Sequence, residues 1–191
     1  QDKFNSRILM NFDISTVSSS LVDGTIGLGF KAYLNLHTHE EFGIGYDNEI
    51  YAYPVSQSWN NGTGRKFQKP KSFNGSSWQY RSFNTTTNTG DAWATASFNS
   101  TSTGSYSTNI GGGTWFTSSA ASQSFSGVQT DVRMDVTGIV KKWLSGSIAN
   151  EGFMIKRSTA DESSAEELGR VSFFSKDTNT IFPPKLEFAW D

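Results

Sequence analysis

The chain has 191 residues, a formal net charge of −2 and no cysteine. Only 18% of its residues are charged, and 28 Ser, 19 Thr and 13 Asn supply most of the polarity. Disulfide bonds and thiolate zinc sites are excluded, because both need cysteine. Nucleic acid and anionic membrane are disfavoured as partners, because no excess of positive charge would attract them. No apolar run approaches the ~18 residues of a membrane-spanning helix.

Short apolar clusters that alternate with polar residues predict a series of β-strands. In chain order they lie at residues 8–12, 30–36, 50–53, 78–83, 93–98, 132–136, 153–155, 171–174 and 186–190. Gly, Asn, Asp and Ser separate the clusters, as expected for turns. We therefore predict an all-β fold, an antiparallel β-sandwich of the jelly-roll type.

One segment departs from this alternation. Its apolar residues have helical spacing: Val136, Ile139, Val140, Trp143 and Leu144. Gly146 provides a stop that tolerates a left-handed backbone. We predict one short α-helix near residues 136–145, packed on the sandwich through Trp143, and no other substantial helix.

The length of the chain indicates a single domain spanning residues 1–191. Residues 84–127 form a Ser/Thr/Gly-rich insertion within it. Aromatic anchors interrupt this insertion, so we expect packed loops or short strands there and not a flexible linker. The chain begins at Gln1 without a signal-like apolar region, so we expect a fragment or processed form that lacks an N-terminal segment.

Two sets of residues are candidate metal ligands. His37 and His39 lie two apart on a predicted strand, where they share a face and could bind zinc or iron. The alternative is an exposed polar strand end. Oxygen ligands for a structural calcium ion come from predicted turns, at Asp47, Glu49, Asp177 and Asn179. The same residue types stabilise turns unaided, so calcium stays open and no other cofactor is expected.

Catalytic patterns are scarce. The sequence has no Gly-x-Ser-x-Gly nucleophile elbow and no glycine-rich phosphate loop. Acidic pairs occur, but adjacency in sequence does not place two carboxylates across a substrate. The pairs at 161–162 and 166–167 resemble a solvated hairpin loop. We expect no enzymatic activity.

Tryptophans are the residues best suited to stack on sugar rings. Trp59, Trp93 and Trp115 lie beside Gly, Asn and Ser, and they are our candidates for an exposed sugar-binding platform. Trp143 and Trp190, on the predicted helix and the last strand, are expected in the core.

Five segments carry a further pattern in their order and spacing. They are Arg-Ile-Leu-Met-Asn-Phe-Asp-Ile-Ser at 7–15, Ile-Tyr-Ala-Tyr-Pro-Val-Ser-Gln-Ser-Trp at 50–59, Ser-Trp-Gln-Tyr-Arg at 77–81, the predicted helix followed by Asn-Glu-Gly-Phe-Met-Ile-Lys at 150–156, and Phe-Ser-Lys-Asp with Pro-Pro-Lys-Leu-Glu at 174–187. Together they resemble the DNRLRE-type β-sandwich domain of secreted bacterial proteins and carbohydrate-binding modules. The insertion and the C-terminal ending are most similar to versions in structural proteins of tailed bacteriophages.

The resemblance implies a non-enzymatic structural or adhesion domain of a bacteriophage particle, in a capsid decoration, fibre or tail-associated protein. Its expected location is the virion, and its expected partners are other virion proteins, copies of itself and a cell-surface glycan. The alternative is a carbohydrate-binding module of a secreted, extracellular bacterial protein. A hydrolase ranks third, because it needs opposed carboxylates in a cleft.

Overall fold

The computed structural model describes residues 5–43, 48–65, 69–94, 103–104, 112–125, 131–164, 166 and 168–190. The fold is all-β and sandwich-like, as the alternation of apolar residues predicts, with antiparallel sheets and short helices. Its strands are β1 (Ile8–Met10), β2 (Lys31–Leu36), β3 (Thr38–Phe42), β4 (Asn48–Pro54), β5 (Tyr80–Asn84), β6 (Thr89–Ala92), β7 (Thr103–Gly104), β8 (Trp115–Phe116), β9 (Ala121–Phe125), β10 (Val132–Asp135), β11 (Phe153–Lys156), β12 (Arg170–Phe173) and β13 (Lys185–Ala189).

Two sheets enclose the main core. One has the strand order β1-β11-β4-β9, and the other has the order β10-β2-β13. Apolar residues of both sheets meet between them, including Leu34, Ala52 and Phe153, which are fully buried. Smaller two-stranded sheets pair β12 with β3, β5 with β6, and β7 with β8.

The central strand β11 is buried on both faces. Phe153 and Ile155 enter the main core, whereas Met154 and Lys156 point to the opposite face of the four-stranded sheet. On that outer face a second apolar cluster contains Val55, Met154 and two tryptophans. A strand in an antiparallel sheet often leaves one face in water, so the covered outer face marks a second region with its own packing.

The described residues also form three short helices. The predicted helix is confirmed as α2 (Thr137–Leu144), and Trp143 is buried on Phe153 with ring centroids 4.6 Å apart. The expectation of one substantial helix is wrong, because α1 (Ser15–Val22) has the same length. A third helix, α3, spans Thr159–Ser163. No helix in the described part of the chain is long and apolar enough to cross a membrane.

The two eight-residue helices, α1 and α2, each begin with a hydrogen bond to an Asp side chain. This shared bond accounts for the start of α1. Asp13 accepts a hydrogen bond from the backbone of Ser15 at 2.9 Å, and Asp135 accepts one from Thr137 at the same distance. Each Asp thus partners an amide that the helix itself leaves free. The serine-rich composition of α1 hid a helical spacing in which Ile14, Val17 and Leu21 pack on the main core.

Candidate ligand pocket

A partly open pocket of about 370 Å³ lies over the outer face of the four-stranded sheet. Its floor comes from β1 and β11, through Leu9 and Met154. Its walls come from loops and are lined by Trp59, Asn61, Ser76, Ser77, Trp78, Trp93, Gly112 and Gly113. Arg7 is the only ionisable side chain among these described lining residues. The pocket therefore joins flat aromatic surfaces with neutral hydrogen-bonding groups.

Each tryptophan of the pocket is held by polar contacts as well as by packing. The indole of Trp59 donates to the carbonyl of Glu151 at 2.8 Å, and the indole of Trp93 donates to the carbonyl of Ser77 at 3.0 Å. Trp78 differs, because its own carbonyl accepts from the backbone of Gly112 at 2.5 Å and the residue is 39% exposed. Trp78 thus offers an aromatic surface that a ligand can reach.

Two glycines let the backbone approach the pocket closely. Gly112 and Gly113 both have positive φ, +82° and +91°. A Cβ atom on Gly112 would overlap the guanidinium of Arg7 and crowd Trp78, and one on Gly113 would overlap the Met154 side chain. The positive φ therefore favours glycine at both positions, and at Gly112 the close approach of Trp78 also leaves little room for a side chain.

Behind the pocket lies a buried ion cluster of Arg7, Lys156 and Glu162. The guanidinium of Arg7 donates to both carboxylate oxygens of Glu162, at 2.9 and 2.7 Å. The ammonium of Lys156 lies 3.0 Å from the same carboxylate, and the three side chains are at most 4% exposed. Two cations thus share one anion away from water, where an unpaired charge would be costly.

Aromatic rings complete the surroundings of these charges. The Arg7 guanidinium lies 4.7 Å from the ring centroid of Trp78 and 5.0 Å from that of Trp115. The Lys156 ammonium lies 5.1 Å from the Trp115 ring. Such cation–π contacts strengthen when the cation is desolvated. Burial lowers the pKa of Lys156, and the neighbouring Glu162 carboxylate opposes this shift.

The predicted sugar-binding platform is only partly assembled. Trp59 and Trp93 line the same pocket, but Trp93 is 2% exposed and Trp115 is 4% exposed. The expected exposure of these two residues is therefore corrected, because both pack into the second apolar cluster. The binding role of Trp59, Trp93 and Trp115 stays a prediction. Trp190, expected in the core, is half exposed.

The histidine pair occupies a different part of the molecule. His37 contacts Asp131 through Nδ1 at 3.0 Å, and its ring lies against Phe182. The ring of His39 packs edge-on against Phe174. Among the described residues no group of three or more His, Asp or Glu side chains is placed to hold a metal ion. The assignment of His37 and His39 as metal ligands stays a prediction.

The calcium candidates are separate as well. Glu49 accepts a hydrogen bond from the Tyr51 hydroxyl at 2.5 Å, and Asp177 accepts one from Lys176 at 2.8 Å. Each carboxylate is thus hydrogen-bonded to a nearby residue of its own strand or turn. Asp47 lies outside the described residues, and Asn179 lies in the exposed loop before β13.

Sequence reasoning identified two tryptophans of the pocket but missed its other residues and the ion cluster behind it. Arg7, Trp78, Lys156 and Glu162 were not candidates, and the segment of Glu162 was expected to be a solvated loop. That expectation is wrong: Ser158 caps α3 by accepting from the backbone of Asp161, and Glu162 is buried. No local pattern in the sequence identifies these residues, because Lys156 is buried only by the covering of the outer face of the sheet.

The arrangement suits binding by stacking, apolar contact and hydrogen bonding. Asn61, Ser76 and Ser77 supply neutral polar groups beside the exposed ring of Trp78. Ligand pockets commonly combine aromatic walls with a few placed polar groups in this way. In comparisons with known proteins, no protein-family model, no curated protein and no solved structure matches the chain.

Proposed function

We propose that the chain is a non-enzymatic adhesion domain that binds a carbohydrate in the tryptophan-lined pocket. The observation that carries the proposal is the partly exposed ring of Trp78 at a pocket of about 370 Å³. A sugar presents an apolar face of C–H groups to such a ring and hydroxyl groups to its surroundings.

The polar lining favours a sugar over a purely apolar ligand. Asn61 provides an amide with donors and an acceptor, and Ser76 and Ser77 add two hydroxyl groups. Asn61 and Ser77 are exposed, so these groups are accessible to a ligand. An apolar ligand would leave them without partners when it displaced water.

For the biological setting we propose the surface of a bacteriophage particle, with a secreted bacterial carbohydrate-binding protein as the alternative. The resemblance to phage structural proteins supports the first, and the pocket suits both. Mass spectrometry of purified particles from the encoding phage or prophage distinguishes them. Detection of this polypeptide in the particles supports the virion, and its recovery only from the culture medium contradicts it.

Glycan binding is tested on an array of bacterial and plant oligosaccharides, probed with wild type, Trp78→Ala and Trp190→Ala. The two substitutions each remove a partly exposed indole, but only Trp78 lines the pocket. We expect wild type and Trp190→Ala to bind the same glycans and Trp78→Ala to lose about tenfold or more, which corresponds to about 1.4 kcal/mol. Thermal melting of each variant checks that the fold persists.

Two results would contradict the proposal. The first is an array on which the wild type binds no glycan. The second is a Trp78→Ala variant that binds as tightly as wild type, because the exposed ring would then carry no binding.

A further inference from the structure

Arg7 lies directly behind the exposed ring of the pocket. Its guanidinium carbon is 4.7 Å from the centroid of the Trp78 ring, and its side chain is 4% exposed. One face of Trp78 is thus occupied by a fixed cation, which leaves the remaining surface for a ligand.

Arg7 also contacts the backbone segment that holds Trp78. Its Nη1 donates to the carbonyl of Gly112, and the amide of Gly112 donates to the carbonyl of Trp78 at 2.5 Å. Arg7, Gly112 and Trp78 therefore form a closed set of contacts in which the side chain and the backbone of Trp78 are tied to one guanidinium. The absence of a Cβ on Gly112 is what makes this approach sterically allowed.

Glu162 fixes the guanidinium in turn. A two-pronged contact between Arg and a carboxylate sets the plane of the guanidinium, which a single contact would not do. The bonds of 2.9 and 2.7 Å from Arg7 to Glu162 have this form. The plane of Arg7 is thus determined by a residue of α3, which is not among the residues that line the pocket.

We propose that Arg7 is the positioning residue of the pocket, which holds the Trp78 ring in the orientation that receives the ligand. This rests on the proposed function for the identity of the ligand, but the ordering of Trp78 is a property of the free protein. Arg7 acts through Trp78 and pre-organises the binding surface, so that less conformational freedom is lost when a ligand binds.

Lys156 provides a matched control for a purely structural role of Arg7. Each cation pairs with Glu162, and each donates to one backbone carbonyl, that of Gly112 for Arg7 and that of Arg157 for Lys156. Removing either one leaves a single cation with the Glu162 carboxylate. The structure places only Arg7 against Trp78, whereas Trp115 lies against both cations.

The test uses the ligand-free protein labelled with 5-fluorotryptophan, in which ¹⁹F NMR observes the six indoles. Trp78→Phe assigns the Trp78 resonance. We expect one sharp Trp78 signal in wild type and Lys156→Met, and a broadened or split signal with a larger H₂O/D₂O isotope shift in Arg7→Met. The Trp143 signal, from the main core, should stay unchanged in all three.

The proposal is overturned if Arg7→Met leaves the Trp78 signal as in wild type, or if Lys156→Met disturbs it equally. Should Arg7→Met fail to fold, Arg7→Lys decides the same question. It keeps a cation for Glu162 but lacks the planar fork that reaches Glu162 and Gly112 together, so it should show the disturbed Trp78 signal.

A further measurement separates the positioning role of Arg7 from the proposed glycan binding. It is the affinity of each variant for the glycan that binds wild type most strongly on the array. We expect Arg7→Met to weaken binding about tenfold, or about 1.4 kcal/mol, and Lys156→Met to leave it within about twofold. A disturbed Trp78 signal without any glycan binding in wild type would overturn the proposed function and leave the positioning role intact. Unaltered glycan binding in Arg7→Met would overturn the positioning role alone.

Discussion

The two faces of the four-stranded sheet are covered by different kinds of side chains. The inner face is mostly apolar, with Ile50, Ala52, Phe153 and Ile155 packed in the main core. The outer face combines Met154 and Val55 with the buried ion cluster and with tryptophans from distant loops. Both faces exclude water, and the buried ion cluster and the tryptophan-lined pocket lie on the outer one.

The difference separates stability from binding. Apolar packing contributes to stability wherever it excludes water, and it is largely independent of direction. Buried charges and hydrogen bonds cost free energy unless their geometry is satisfied, and they then fix groups in one arrangement. The outer face therefore has the properties needed to hold loops in place around a ligand, and the inner face has the properties needed to hold the sheets together.

Glu162→Gln is expected to have the largest effect on the outer face. The substitution removes the only anion of the buried ion cluster and leaves Arg7 and Lys156 facing each other in a desolvated site. Breaking such a buried set costs about 3–5 kcal/mol. Urea denaturation should show this fall in the free energy of unfolding, and a loss below about 1 kcal/mol would mean that water reaches the cluster.

Neighbouring residues of β11 give the sharpest contrast between the faces. Phe153→Ala should cost about 3–5 kcal/mol and Met154→Ala about 2–5 kcal/mol, because both side chains are buried. Only Met154 lines the pocket. Glycan affinity, measured well below each melting temperature, should thus fall for Met154→Ala and stay near wild type for Phe153→Ala. Equal losses of affinity would mean that the two faces do not separate stability from binding.

At alkaline pH we expect a smaller loss of stability, which comes from the hydrogen bond between Tyr51 and Glu49. The Tyr51 hydroxyl donates to Glu49 at 2.5 Å, which raises the pKa of Tyr51 from 10 to about 12. The folded protein therefore holds this proton more tightly than the unfolded chain, so the stabilisation is complete below pH 10 and is lost as the pH rises to about 12. The stability difference between wild type and Tyr51→Phe should shrink over that window. A difference that does not change with pH would exclude the bond.

The main sandwich could be predicted from the sequence because its pattern is local. Alternation over 30–36 and 153–155 corresponds to β2 and β11, and helical spacing near 136–145 corresponds to α2. Helix α1 was missed because Ser15–Val22 reads as a polar turn until Val17 and Leu21 are seen on the core.

The pocket could be predicted only in part, through Trp59 and Trp93, since its residues are far apart in the chain. Arg7 and Glu162 are separated by 155 residues, and the sequence around neither residue indicates that the two form an ion pair. Trp93 and Trp115 lie among polar residues, which predicted exposure, yet a second apolar cluster buries them. The identity of Lys156 as a buried cation follows only from the covering of the outer face, which depends on loops that meet in three dimensions.

The central claim is that the outer face carries the binding site, and NMR mapping of the tryptophan indoles tests it most directly. A titration of wild type with the strongest array glycan should shift the indole signals of Trp59 and Trp78, which line the pocket, and leave those of Trp143 and Trp190 in place. Shifts confined to Trp190, or no shift at Trp78 at saturating glycan, would contradict the account.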